Sequence, residues 1–352
     1  MKKVSGCLDE VFYDFHRNYH PELTIYPRMV LLYIILLLLL SIFSFSFWLS
    51  NLLLYPPRQP LARNPKDYNL AFEDVSFSST DHLELKGWWI PADGQAPAVI
   101  LLHPLFGNRH GLIPRSGLWP AIFREELDLL KVAQAFHQAG WSVLMFDFRS
   151  HGESPRGLCA GGLTEDQDVT GAVDFTFKRR STGLPKGETP QVGLVGFGSG
   201  AAASIAAIGR TKGKAEKMMV FTGDSEGGAG WTEVLPPNNK LLCFLIAVRP
   251  APLDLLLRGF LEEIASLLGP LLVPIVDWLC QLRGGYPLGG ARLLKAAGEV
   301  HLPVLFIQSP QEPKAMHDSV QVLYEALPDA KCIESEAIPQ VLLDFASARI
   351  RK

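Results

Sequence analysis

Between Arg28 and Arg58 the chain runs through 26 residues, Met29 to Leu54, without a charged side chain in them, and this stretch constrains the fold more than any other. A bilayer offers the backbone no hydrogen-bond partners, so such a run must be helical. At ~1.5 Å per residue it outlasts a hydrocarbon core ~30 Å thick. Within it only Ser41, Ser44, Ser46, Ser50 and Asn51 are plainly polar. A cleaved signal would have a shorter apolar run and a small-residue cleavage site, whereas here 28 residues precede the run and Tyr55-Pro56-Pro57-Arg58 follows it. The reading is an uncleaved, single-pass membrane helix over 29–54. Lys2, Lys3, Arg17 and Arg28 before it nearly match Arg58, Arg63 and Lys66 after it, so charge assigns no side of the membrane. Residues 1–28 are an N-terminal tail whose Phe12, Tyr13, Phe15, Tyr19 and Tyr26 fit an interfacial helix or an unstructured segment equally.

The remaining composition narrows the function. Thirty-three basic against 36 acidic residues give a net charge of −3, so there is no basic excess to neutralise phosphates and no nucleic-acid partner is expected. Hydrophobic residues at 48% and charged ones at 20% exclude a disordered chain. The five cysteines (Cys7, Cys159, Cys243, Cys280, Cys332) form no CxxC pair, which indicates neither a disulfide framework nor a zinc site. Gly198, Gly200 and Gly223 complete no dinucleotide or phosphate-loop pattern, so no cofactor is expected.

Beyond a proline-rich linker over 55–68, residues 69–352 alternate strand-like and helix-like runs. Asn69–Ser79 and Leu83–Ile90 read as a β pair around Thr80-Asp81-His82, and Ala98–His103, Trp141–Asp147, Gln191–Phe197, Met218–Thr222, Pro303–Gln308 and Ala330–Ser335 as further strands. Leu127–Ala139 and Leu163–Arg180 have helical signatures. Repeated β-then-α units imply an α/β domain with a mostly parallel sheet covered on both faces. Roughly 80 residues separate the strand candidates at Thr222 and Pro303, more than one crossover helix needs, so an inserted lid is expected over about 224–300. Its uncharged stretch Ile264–Val276, interrupted by Pro270 and Pro274, is too short to span a bilayer. It fits a lid over a cleft or a face that dips into the membrane.

Three loops that follow predicted strands are the informative ones: Leu101-Leu102-His103-Pro104-Leu105-Phe106-Gly107-Asn108-Arg109, Phe146-Asp147-Phe148-Arg149-Ser150-His151-Gly152-Glu153-Ser154, and Gly193-Leu194-Val195-Gly196-Phe197-Gly198-Ser199-Gly200-Ala201-Ala202. In this order and spacing they resemble the α/β-hydrolase superfamily, in particular its serine-aminopeptidase-like and esterase-like branch, from roughly Asn69 to the C-terminus. That resemblance implies a nucleophile in a G-x-S-x-G turn, an acid after a late strand, a histidine after the last strand, and an oxyanion hole from two backbone amides.

Several of those positions depart from the pattern. Gly196-Phe197-Gly198-Ser199-Gly200 places both outer glycines correctly and Gly198 where the serine belongs. Shifting by one residue offers Ser199 as nucleophile, but flanked by Phe197 and Ala201, poor neighbours for a tight turn. The resemblance puts Glu312, in Ser309-Pro310-Gln311-Glu312-Pro313, at the acid position. No histidine follows His317, which could serve as base only on a rebuilt loop. The oxyanion amides would be those of Ser199 and Leu105, the latter after Pro104, which supplies no N–H. His103 and His151 are expected to be structural hydrogen-bonding groups.

Two readings follow. One is a membrane-anchored α/β-hydrolase-like protein with a degenerate site, binding an apolar or acyl ligand, or a protein partner, under its lid. The other is an active esterase, lipase or peptidase-like serine hydrolase with a displaced site built on Ser199, Glu312 and His317.

Overall fold

The computed structural model describes residues 5–113, 126–182, 184, 190–213, 218–223, 229–234, 242–248, 257, 261, 269–287, 290–308, 314–327, 330–334 and 338–350. They fall into two compact units, Met1–Leu49 and Ser50–Lys352.

The first unit is most of one helix, α1 (Ser5–Leu54), unbroken through the apolar run. Its segment Tyr26–Leu54, 29 residues with a mean hydropathy of 2.7, is long and apolar enough to cross a membrane. Residues from Met29 to Leu40 each remain 43–68% exposed among the described residues. Even a polar group inside it is satisfied locally, because the Ser41 hydroxyl donates to the Leu37 carbonyl at 2.8 Å. The helix begins well before the apolar run, so the backbone of much of the expected tail is helical.

In the second unit the last turn of α1 is part of the globular core: Leu53 and Leu54 are buried, and the Cys159 amide donates to the Leu54 carbonyl. The linker also lies on the domain. Arg58 Nη2 donates to the Ser154 carbonyl, Asn108 Nδ2 to those of Gln59 and Pro60, and Asn64 caps a short 3-10 turn at Pro65–Tyr68.

Among the described residues, eight strands form the main sheet: β1 (Glu73–Ser78), β2 (Glu84–Ile90), β3 (Ala98–Leu102), β4 (Ser142–Phe146), β5 (Val192–Phe197), β6 (Leu242–Val248), β7 (Val304–Gln308) and β8 (Ala330–Glu334). Their order is β1-β2-β4-β3-β5-β6-β7-β8. β1 and β2 are antiparallel, as are β2 and β4, and every other pairing is parallel. The central strands are buried on both faces, and their alternate residues feed two separate cores. Ile100, Leu102, Leu144 and Phe146 meet the face covered by α3 (Asp166–Ser181), α4 (Ser199–Gly213) and α6 (Ala291–Ala297). Val99, Leu101, Val143 and Met145 meet the face covered by α2 (Leu129–Gln138) and α8 (Ile338–Ile350). This is the period-two alternation of a sheet between two helical layers.

One strand assignment changes. Met218–Gly223 is extended, but it pairs antiparallel with Ala229–Val234 in a separate ladder, and the strand beside β5 is Leu242–Val248. The uninterrupted run Leu-Cys-Phe-Leu-Ile-Ala-Val is the better filling for a position buried on both faces. It lies inside the stretch expected as lid, so 224–300 is not a single excursion from the sheet. Likewise α6 packs on α4, where a Cβ on Gly209 would collide with the Ala296 backbone. Between β6 and α6 the structure describes α5 (Gly269–Gly284). The last helix between strands is α7 (Lys314–Ala326).

Candidate active site at a glycine elbow

Strand β5 ends at Phe197 and α4 begins at Ser199, so a single residue, Gly198, turns the chain from strand to helix. Gly198 has φ = 55°, in the left-handed region that glycine enters without steric cost. Its carbonyl accepts from the amides of Ala201 and Ala202, which makes it the cap of the helix and Ser199 the first helical residue.

The two outer glycines explain the register. A Cβ on Gly196 would sit 2.6 Å from the backbone of Ala201, and one on Gly200 would sit 2.6 Å from the Leu102 carbonyl oxygen and 2.7 Å from that of His103. Both glycines therefore let α4 start flush against β5 and β3. The geometry fixes Gly198 at the turn, and the shifted frame would instead put the helical Ser199 there.

Opposite the turn lies the loop after β3. A Cβ on Gly198 would stand 3.2 Å from Pro104 Cβ, so the proline ring borders the place where a side chain would project. Leu105 and Phe106 behind it are buried, and Ser199 is only 9% exposed. The backbone N–H groups of Ser199 and Leu105 donate to no described residue. They remain available as hydrogen-bond donors beside the elbow.

His103 and His151 have both ring nitrogens engaged by the backbone. His103 Nε2 accepts from the Phe148 amide at 3.1 Å while Nδ1 faces the Pro104 carbonyl at 2.8 Å, and His151 Nε2 accepts from the Phe106 amide while Nδ1 faces the Arg149 carbonyl. An acceptor at Nε2 and a donor at Nδ1 define a neutral imidazole. Burial pushes the pKa of each below the ordinary 6.5, and for His103 the neighbouring His151 adds to the effect. The rings meet edge to face at 4.9 Å and tie the loops after β3 and β4 together.

The Asp147 to Gly152 turn is equally structural. Asp147, fully buried, accepts from the amides of Arg109 at 2.7 Å and Glu153 at 2.9 Å, and ion-pairs with Arg109. Gly152, at φ = 43°, lies so close to the Asp147 carboxylate that no Cβ fits. Arg149 is clamped between Asp168 and Asp81 by five side-chain hydrogen bonds.

Of the remaining candidates, Glu312 lies outside the described residues, and His317 falls in the first turn of α7, whose backbone alone is described there. Neither is brought to the elbow by a described contact. Among the described residues no three His, Cys, Asp or Glu side chains cluster to hold a metal ion. A cavity of about 590 Å³ lies elsewhere, lined by Arg63, Lys66, Lys86, Trp88, Arg109 and Glu153 among others. Most of its walls come from the linker, β1 and β2, which sequence reading had no reason to bring together, and only Arg109 and Glu153 belong to the loop motifs.

No family model matches the chain. In fold it is similar to the Pyrococcus furiosus esterase Pf2001, with a TM-score of 0.54 and 23% identity over 85% of this chain and 96% of the esterase. The chain has the α/β-hydrolase fold. The acylaminoacyl peptidase of Pyrococcus horikoshii shares this hydrolase architecture, with a TM-score of 0.51 and 15% identity over 84% of this chain and 45% of the peptidase. In sequence the hydrolase-fold chain is 28% identical over 200 residues to the uncharacterized protein YqkD of Bacillus subtilis, a match covering 56% of this chain and 55% of YqkD.

Proposed function

We propose that this α/β-hydrolase-fold protein is held to a membrane by α1 and acts by binding an apolar or acyl-type ligand, not by cleaving a bond. The observation carrying this reading is the glycine at the elbow: Gly198 alone turns strand into helix, at φ = 55°, and glycine has no oxygen to attack a carbonyl. The histidine the resemblance calls for after the last strand is missing from the sequence, so a serine elsewhere would lack the usual base. The residues between β6 and α6, which include the apolar stretch 264–276, are the lid in this reading, and the ligand lies beneath them.

A fluorophosphonate probe on the full-length, detergent-solubilised chain tests the reading. Wild type and Ser199→Ala should both remain unlabelled, and reactivity gained by Gly198→Ser alone would show that the amides of Ser199 and Leu105 still form an oxyanion hole. Labelling of wild type that disappears in Ser199→Ala would overturn the proposal and establish a serine hydrolase with a shifted nucleophile.

A further inference from the structure

Outside α1 and the adjoining Tyr55, four large apolar side chains are exposed among the described residues, and Leu271, Trp278 and Leu282 of these stand on α5. Spacings of seven and four residues align them in one stripe along the helix. Exposed Pro270 and Pro274 lie along the same side, and the opposite face, with Leu272, Val273, Val276, Leu279 and Cys280, is buried. The helix is therefore largely apolar, its polar side chains being the exposed Gln281 and the charged Asp277 and Arg283. A lone exposed leucine needs no explanation, whereas three large apolar side chains in line mark a surface that something covers.

The position of α5 says what covers it. Arg283 Nη1 donates to Ser50 Oγ at 2.8 Å and Nη2 to Asn51 Oδ1 at 3.0 Å. One residue further, a Cβ on Gly284 would touch Leu54 Cδ2 at 3.0 Å. Ser50, Asn51 and Leu54 are the last turn of the apolar segment Tyr26–Leu54. The C-terminus of α5 is thus fastened where a membrane-crossing chain would leave the bilayer. A tryptophan and an arginine within one and a half turns of each other also suit the boundary of headgroups and acyl chains, where an indole ring and a long cationic stem are both accommodated.

We propose that the outward stripe of α5, Leu271, Trp278 and Leu282, lies in the interfacial layer of the bilayer that α1 crosses, giving the domain a second point of attachment. The inference rests on the reading of α1 as a membrane helix. It makes the segment between β6 and α6 a lipid-contacting element, so an acyl-type ligand would reach the domain from the membrane and not from water.

Environment-sensitive labels on the full chain in phosphatidylcholine vesicles test it, using Leu282→Cys, Val322→Cys and Leu36→Cys in a background lacking the native cysteines. The label at 282 should be quenched at least threefold more by nitroxides on lipid acyl chains, and at least threefold less by aqueous iodide, than the label at the exposed α7 position 322. Equal iodide quenching at 282 and 322, or shielding of 282 from both quenchers as under a second protein, would overturn the proposal. The label at 36 separates the two failures: if it too is untouched by lipid nitroxides, the membrane reading of α1 has failed, and if it alone is quenched, only the α5 contact has. Should the cysteine-free background not fold, brominated lipids on the native chain give the same decision. Trp278→Phe should remove a lipid-quenched part of the tryptophan emission, and an unchanged quenched fraction would count against the contact.

Discussion

At the scale of single residues, what the motifs encode is mostly hydrogen-bonding geometry, and much of it is legible in sequence. The frame of the elbow follows from Gly196, Gly198 and Gly200 alone, because only glycine tolerates both a left-handed turn and contact with a neighbouring backbone. Asp147 and Gly152 read as a turn for the same reason, and Gly152→Ala should destabilise the fold by about 3 kcal/mol or more by driving a methyl into a buried carboxylate that holds two loops. A urea midpoint on the detergent-solubilised chain measures this. Asp166 was not legible, since its state depends on surroundings distant in sequence. Burial raises its pKa to about 7 despite the Arg210 guanidinium at 2.7 Å, and its Oδ1 has no hydrogen-bond partner among the described residues. A folded-state pKa above the unfolded 3.8 means its contribution is favourable at low pH and is lost as pH rises through about 7. Asp166→Asn is therefore expected to be more stable than wild type at pH 8, with the advantage shrinking toward pH 4. A less stable variant at pH 8 would mean that the ion pair with Arg210 outweighs the cost of burying the charge.

At the scale of elements, strands buried on both faces and the helices α2 and α3 were readable, while their partners were not. The run Met218–Gly223 has the composition of a strand and is one, yet local pattern cannot say whether a strand joins the central sheet or a side hairpin. The crossover from β5 to β6 is consequently longer than it looked. Glycines inside helices carried a signal that went unused. Gly171 in α3 lies against the backbone of Ser78 and Ser79, and Gly209 in α4 against Ala296 of α6, contacts with no room for a side chain. Replacing Gly209 by alanine should improve local helix propensity and still cost about 1–3 kcal/mol, because α6 must move away. A thermal melt in which Gly209→Ala is neutral or stabilised would show that the two helices are not pressed together as described.

At the scale of the whole molecule, the alternation of strand and helix and the single apolar run gave the architecture, and the chain should stay with membranes after alkaline carbonate washing, with release into the supernatant the contrary outcome. What the sequence could not display is where the long apolar helix gives way to the globular unit. The last turn of α1 and the linker are woven into the globular unit through Leu54, Arg58 and Asn108, contacts made with residues about 50 to 100 positions later. Folding stability is also a property of the whole, only ~5–15 kcal/mol for a typical domain. A side chain held at φ = 55° stores strain on the order of 1 kcal/mol, which glycine avoids. Reactivity and ruggedness thus compete at the turn between β5 and α4. Gly198→Ser should lower the unfolding free energy by about 1–2 kcal/mol, read from the same urea midpoint, whether or not it gains chemistry. With glycine there, the chain is the sturdier form of its own fold, relieved of a tension that a nucleophile at this turn would have to sustain.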